Sequence, residues 1–297
     1  MEKRRFGSTD MMVGVLGFGG AEIGFEAAPQ EDVDRLLNAA LDSGLNVIDT
    51  AECYANSEQM IGHAVAHRRD DFYLFTKCGH SSGFDLPDWD PKMLAMTVDR
   101  ALTRLQTDCV DLIQLHSCSE EILRQGEATE VLQRAKEAGK TRYIGYSGDH
   151  KDALYSVESG AFDSLQTSVN VADQECLTLT LPKALARGMA VIAKRPVANV
   201  AWRSGNVPPT NGYYQTYWER LQKLKYAFLT EEDAVATALR FTLSQPAVNV
   251  AIVGTKNPSR WAVNSAYAKL GPLSDSVLNS MRDRWIQSSN PDWVGQQ

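Results

Sequence analysis

Eight times along this chain a short apolar run gives way to an amphipathic one. The apolar runs are MVGVLGFG, NVIDT, FYLFTK, CVDLIQLH, TRYIGYS, FDSLQTSVN, AVIAKRP and VNVAIVGT. Their partners carry a helical period. EDVDRLLNAALDSG places apolar residues at 33, 36, 37, 40 and 41 and stops at Gly44. DPKMLAMTVDRALTRLQ has Pro91 where a first helical turn accepts it. Thr230 stands where it can cap TEEDAVATALRFTLSQ. Strands alternating with helices imply a parallel sheet covered by helices. Eight such units predict a closed (β/α)8 TIM barrel, a single α/β domain over residues 1–297, since that fold takes about 250 residues. An open doubly wound sheet would carry GxGxxG after an early strand, and GFGGAEIG misplaces the third glycine. Residues from about 198 to 228, with two adjacent prolines and several aromatics, read as a long irregular loop at the C-terminal face. A loop of that length is usually functional.

Composition removes several function classes. Acidic residues outnumber basic ones by 37 to 30, and the cations are spread along the chain, which argues against a nucleic-acid or anionic-membrane partner. No apolar run reaches the length of a membrane span, and no apolar segment follows the charged start MEKRRFGSTD. Five cysteines without a CxxC spacing read as free thiols, most simply as small buried residues, in a reducing, cytoplasmic setting.

The polar strand ends are informative. They are Asp49, Lys77, His116, Ser147, Asn170, Lys194 and Thr255. In a barrel these ends open onto one face, where barrel enzymes place their chemistry. Tyr54 follows the same strand as Asp49. A phenol ordinarily titrates near ~10, and an adjacent ammonium favours its ionised form. Lys77 can supply that ammonium, and a partly buried lysine needs a carboxylate partner, for which Asp49 is the candidate. His116 can then orient a carbonyl oxygen toward the phenol, completing a general acid for a developing oxyanion.

These stretches, NVIDTAECY, FTKCG, LIQLH, IGYSG, VIAKRP and IVGTKNPSRWAVNSA, resemble the aldo-keto reductases along nearly the whole chain. The resemblance implies an Asp–Tyr–Lys–His tetrad of Asp49, Tyr54, Lys77 and His116, and reduction of an aldehyde or ketone by a nicotinamide cofactor. It also implies that Ser147 and Gln166 hold the nicotinamide carboxamide. Gly19 and Gly20 would allow close approach of the ribose, and Thr255, Lys256, Arg260 and Asn264 would bind the adenosine end. Two cations and a hydroxyl at a helix start suit a phosphate, which favours NADPH over NADH. Two departures stand out: Gly148 follows Ser147 where the family often has asparagine, and Lys194 occupies the place of a stacking tyrosine. Lys194 or Arg195 is therefore expected to contact the cofactor phosphates or the substrate.

Trp89 and Trp202, in long loops, are candidates for a substrate-pocket wall. An apolar pocket would suit aromatic or aliphatic carbonyl compounds, and sugar-derived aldehydes less so. No metal is expected. His63 and His67 lie four apart but lack the HExxH glutamate and a third ligand, so they read as surface or packing residues. His80 and His150 lie in loops beyond strands and could line the mouth. Two rival classes remain: a cofactor-binding barrel subunit with a regulatory role and little turnover, and a metal-dependent barrel hydrolase or isomerase. The second would want more acidic or histidine ligands at strand ends than Asp49 and His116. Oligomeric state is open.

Overall fold

The computed structural model describes residues 1–296. Ten strands form: β1 Lys3–Arg5, β2 Met12–Gly14, β3 Leu16–Gly19, β4 Val47–Asp49, β5 Tyr73–Cys78, β6 Val110–His116, β7 Thr141–Ser147, β8 Ser164–Ser168, β9 Ala190–Lys194 and β10 Val250–Gly254. Strands β3 to β10 pair in chain order, all parallel, and β10 returns to β3 to close the barrel. The expected (β/α)8 barrel is the fold. Closure leaves no unpaired barrel edge, so the backbone is satisfied while the strands read as apolar runs.

The first apolar run is two strands rather than one. β2 turns back antiparallel on β1, and only β3 joins the barrel. The hairpin carries Phe6, Met11 and Val13, each without exposed surface, against Val47, Phe75, Leu112, Ile192 and Val250. Phe6 and Phe75 rings sit 5.3 Å apart. The hairpin thus plugs the barrel floor with apolar side chains, each full burial worth about 1.5–3 kcal/mol.

Helices cover the outside. The helix Gln30–Asp42 buries Val33, Leu36, Leu37, Ala40 and Leu41, the face its spacing predicts. The helix Pro91–Leu105 begins at Pro91, with Asp90 accepting hydrogen bonds from the Lys92 and Met93 amides. Thr230 does not cap the following helix. That helix spans Ala234–Leu243 with Asp233 at its N-cap, and the Thr230 hydroxyl instead donates to the Ala227 carbonyl.

The stretch 198–228 is not an irregular loop. It contains a kinked seven-residue 3-10 segment, Ala198–Ser204, and a three-turn helix, Gly212–Leu224, started by Asn211 accepting from the Tyr213 amide at 3.0 Å. Tyr217, Arg220, Leu221 and Leu224 form its buried face. Aromatic residues after Asn-Gly and Pro-Pro disguised a helical spacing, and burial of that face overrides their weak helix propensity. Its apolar partners include Val171, Phe241, Trp285 and Trp293, so it caps the barrel together with the C-terminal helix Asp275–Ser288. Among the described residues no helix is long and apolar enough to cross a membrane.

Candidate active site

The loop after β4 is stitched in place before any chemistry is considered. The Thr50 and Ser57 hydroxyls lie 2.8 Å apart, and Ser57 Oγ donates to the Gly20 carbonyl at 2.8 Å. The Gly20 amide donates to the Asp49 carbonyl at 2.7 Å. Gly24 is needed here: a Cβ on it would lie 2.0 Å from the Tyr54 carbonyl oxygen. The short helix Ala21–Phe25 therefore presses on the Tyr54 turn through a residue without a side chain. Nothing in the glycine spacing identified this role.

Strand order then brings β4, β5 and β6 side by side, with Asp49, Lys77 and His116 at their C-terminal ends. Lys77 and Asp49 are each about 1% exposed. Lys77 Nζ donates to Asp49 Oδ1 at 2.5 Å and to the Thr50 carbonyl at 2.8 Å. Gln114 Nε2 donates to Asp49 Oδ2 at 3.3 Å. The same ammonium lies 5.0 Å from the centre of the Tyr54 ring. The Tyr54 and His116 rings meet edge-on with centroids 5.6 Å apart. The four groups gathered on sequence grounds thus converge at one mouth.

Burial decides the protonation states. It opposes the Lys77 charge, but Asp49, with Tyr54 and Cys53 adding to it, outweighs burial and holds the ammonium above its ordinary value. Burial pushes the Asp49 carboxyl up, against the pull of Lys77. The pair is ionic, because the 2.5 Å contact and the Gln114 amide both favour the carboxylate. Burial also pushes the Tyr54 phenol up to about 12, although Lys77 pulls it down and Asp49 pushes it up again. The expected lowering by Lys77 is present only as one opposing pull. His116 is held well below the usual imidazole value by burial and then by Lys77, Lys194, His80 and Arg195. It is a neutral ring at neutral pH.

On the other side of the mouth Ser147 Oγ donates to Gln166 Oε1 at 3.0 Å. Gln166 Nε2 comes near Asp49 without a hydrogen bond of normal geometry. An amide oxygen and a free amide donor at the strand ends fit a carboxamide, which both donates and accepts. Gly19 packs at ordinary distance against β10, whereas a Cβ on Gly20 would lie 2.6 Å from Ser57 Oγ. Gly20 is thus required by packing, whatever binds there. Gly148 also has a local cause, since a Cβ there would lie 2.4 Å from the Tyr146 hydroxyl, which donates to the Cys118 carbonyl.

Lys194 is engaged. Its ammonium lies 2.7 Å from Asp149 Oδ2, and Asp149 also accepts from Thr167 Oγ1 and the Ser168 amide. Arg195 donates to the Tyr213 hydroxyl at 2.6 Å, to Ser168 Oγ at 3.0 Å and to the Gln296 carbonyl. Sequence reasoning missed the C-terminal segment that this carbonyl belongs to. Arg220 holds the Val294 carbonyl, and Glu175 and Asp173 accept from the Gly295 and Gln296 amides.

Past β10, where the adenosine end is expected, Thr255 and Asn264 are buried, and Asn257 caps the helix Pro258–Lys269. Lys256 pairs with Glu26 at 2.7 Å. A cavity of 430 Å³ opens there, lined by Glu26, Lys256, Asn257 and Pro258 among others. Trp89 packs against His80, ring centroids 5.7 Å apart, while Trp202 packs against the second apolar cluster around Tyr217. His63 is exposed and faces Asp34, and His150 pairs with Glu175. Asn170 sits two residues past β8, fully buried, accepting from the Ala172 amide.

The sequence profile described as the aldo/keto reductase family matches residues 13–286. The chain belongs to that family. As a member it is an oxidoreductase that works between carbonyl and CH–OH groups with a nicotinamide cofactor. It is 27% identical over 305 residues to an uncharacterized oxidoreductase, YqkF, of Bacillus subtilis (strain 168), covering 97% of each chain. It is 29% identical over 284 residues to L-galactose dehydrogenase of Arabidopsis thaliana, covering 90% of this chain and 88% of the relative. Among solved structures, aldo-keto reductase AKR11C1 from Bacillus halodurans, in its holo form, superposes with a TM-score of 0.83. That match has 26% identity and covers 96% of both chains.

Beside the tetrad lies an acid that the family resemblance did not flag. Glu52 is 2% exposed, accepts from the His80 amide at 3.0 Å and is pushed by burial up to about 8, with Glu58 adding to the rise. The folded state of this aldo/keto reductase therefore keeps a proton that the unfolded chain releases near the ordinary 4.5. This contribution to stability is full below about 4.5 and is lost as pH rises through about 8. The slope is at most about 1.4 kcal/mol per pH unit. Glu52→Gln should flatten that part of the urea-midpoint profile. A slope unchanged in the variant would assign it to other buried acids such as Glu58 or Asp173.

Proposed function

We propose that this reductase converts an aldehyde or ketone to an alcohol with NADPH, using Tyr54 as the proton donor. The observation that carries the reading is the chain of contacts Asp49–Lys77–Tyr54–His116: 2.5 Å, 5.0 Å and 5.6 Å in turn. Ser147 and Gln166 would hold the carboxamide, and Gly19 and Gly20 would border the ribose. Bound there, a reduced nicotinamide would supply the hydride. The chain's own residues handle the oxygen and the proton. Neutral His116 offers a ring N–H to the carbonyl oxygen and fixes its place beside the phenol. Tyr54 gives up its proton as negative charge develops on that oxygen. Lys77 then stabilises the phenolate left behind, a charge that exists only during the reaction. Asp49 keeps Lys77 charged. Cofactor oxidation across a panel of carbonyl compounds tests the reading. Tight NADPH binding with no turnover on any of them would favour the regulatory barrel subunit instead.

Preference for NADPH rests on Lys256 and Arg260 beside the helix start at Pro258. Lys256 is paired with Glu26, so a phosphate at this site competes with one carboxylate. Lys256→Ala should raise the dissociation constant for NADPH about tenfold, the scale of one charge-assisted contact, and leave that for NADH unchanged. Equal weakening of both by equilibrium titration would remove Lys256 from the phosphate site. Lys194 supports a narrower role than expected. Paired with Asp149, it adds little net charge near the nicotinamide, and among the described residues no carboxylate is in direct contact with Arg195. Trp89 reaches the tetrad through His80 and is the better supported wall of the substrate pocket; Trp202 would act only through the capping helix.

A further inference from the structure

Three metal-binding side chains meet at the mouth although the reaction proposed above needs no metal. Cys53 lies in the loop after β4, His80 just past β5, and His116 ends β6. Their ligand atoms all lie within 4.8 Å of one another, and all three residues are half-buried. Cys53 Sγ is 3.4 Å from His116 Nδ1. In a tetrahedral zinc centre, bonds of about 2.3 Å to sulfur and about 2.0 Å to nitrogen set the two ligands roughly 3.6 Å apart. One edge of the tetrahedron is therefore already at metal spacing. Drawing the third ligand in requires about an ångström of movement.

His80 is prepared for that role. Its Nδ1 lies 3.1 Å from Asp88 Oδ2, which leaves Nε2 as its metal-binding nitrogen. A carboxylate behind an imidazole fixes the ring and raises its basicity, the usual arrangement behind a metal-bound histidine. The His80 and His116 rings lie 5.4 Å apart. One thiolate and two imidazoles select zinc or copper over calcium or magnesium, and three protein ligands leave a fourth position open to the mouth.

We propose that Cys53, His80 and His116 bind a thiophilic divalent cation such as Zn²⁺, and that occupation switches off carbonyl reduction. Binding displaces the thiol proton to solvent and forms three coordinate bonds, with no change of oxidation state. His116 bound to metal can no longer orient a carbonyl oxygen. This inhibitory half rests on the function proposed above; the binding half does not.

Cobalt(II) separates the two. Titrated into the cofactor-free full-length protein, Co²⁺ should give a thiolate-to-cobalt charge-transfer absorption that saturates at one equivalent. Cys53→Ser should abolish it. In the reductase assay Zn²⁺ should inhibit the wild type, while Cys53→Ser keeps its uninhibited rate and needs about tenfold more Zn²⁺ or higher for half-inhibition. His80→Gln should weaken the cobalt absorption in the same direction. No such absorption in the wild type, or one that persists in Cys53→Ser, overturns the site whether or not any carbonyl compound is turned over. Cobalt binding with undiminished reduction overturns the inhibitory role alone.

Discussion

Tyr54→Phe should slow carbonyl reduction by about 10²–10⁴, the range that general acid catalysis contributes, and leave the dissociation constant for NADPH unchanged. The substitution removes one oxygen. Its ring contacts survive in the variant: the Phe25 ring 5.4 Å away and the His116 ring 5.6 Å away both meet the ring rather than the hydroxyl. The loop is held independently by Thr50, Ser57 and Gly24, so the fold has no reason to change. What disappears is the proton that must reach the substrate oxygen. His116 does not replace it, because the ring is neutral and its loss of a ring proton would be far costlier than a phenol's. The pH profile carries a second signature. With the phenol up at about 12 and the imidazole well below its usual value, neither titrates around neutrality. The rate with the wild type should therefore show no break at the ordinary histidine value of about 6.5. Single-turnover kinetics with Tyr54→Phe at wild-type speed would remove the phenol from the proton-transfer step.

The sequence made the barrel and the tetrad legible for one physical reason. Strand ends of a closed parallel barrel share a face, so chemistry becomes readable as soon as the strands are recognised. Asp49, Lys77 and His116 each end an apolar run, and Tyr54 follows within one turn of loop. What stayed hidden depends on contacts between residues distant in sequence. Asp149 lies past β7 and Lys194 ends β9, and only the intervening strand's position brings them to 2.7 Å. Gly24 looked like a failed nucleotide fingerprint and proves to be clearance for the Tyr54 carbonyl. The helix Gly212–Leu224 was masked by aromatic residues that favour strands, although Tyr217, Arg220, Leu221 and Leu224 keep a helical spacing. The Cys53–His80–His116 cluster draws one residue from each of three segments, so no motif scan of contiguous residues reveals it.

Lys77→Met should destabilise the protein by about 3–5 kcal/mol, the cost of stranding one partner of a buried ion pair. Asp49 is about 1% exposed and would keep only the Gln114 amide, at 3.3 Å. Burial already pushes the Asp49 carboxyl upward, and without Lys77 nothing of comparable strength opposes it. The variant therefore folds with a protonated Asp49. Its folded pKa lies above the unfolded one, so its stability is fullest below the ordinary carboxylate value and is lost as pH rises through the raised one. Urea midpoints of the variant should climb on acidification across a range where the wild type changes less. Asp49→Asn combined with Lys77→Met should regain much of the lost stability, since the stranded charge is gone and replacing both partners of a buried pair is often neutral. Reduction should stay slow in the double variant, because the phenolate formed during proton transfer has lost its ammonium. That separation is the decisive feature: stability follows the pair, whereas rate follows the lysine. A double variant no more stable than Lys77→Met alone would mean that the lysine holds the barrel mouth by packing, and that its charge is not what the fold depends on.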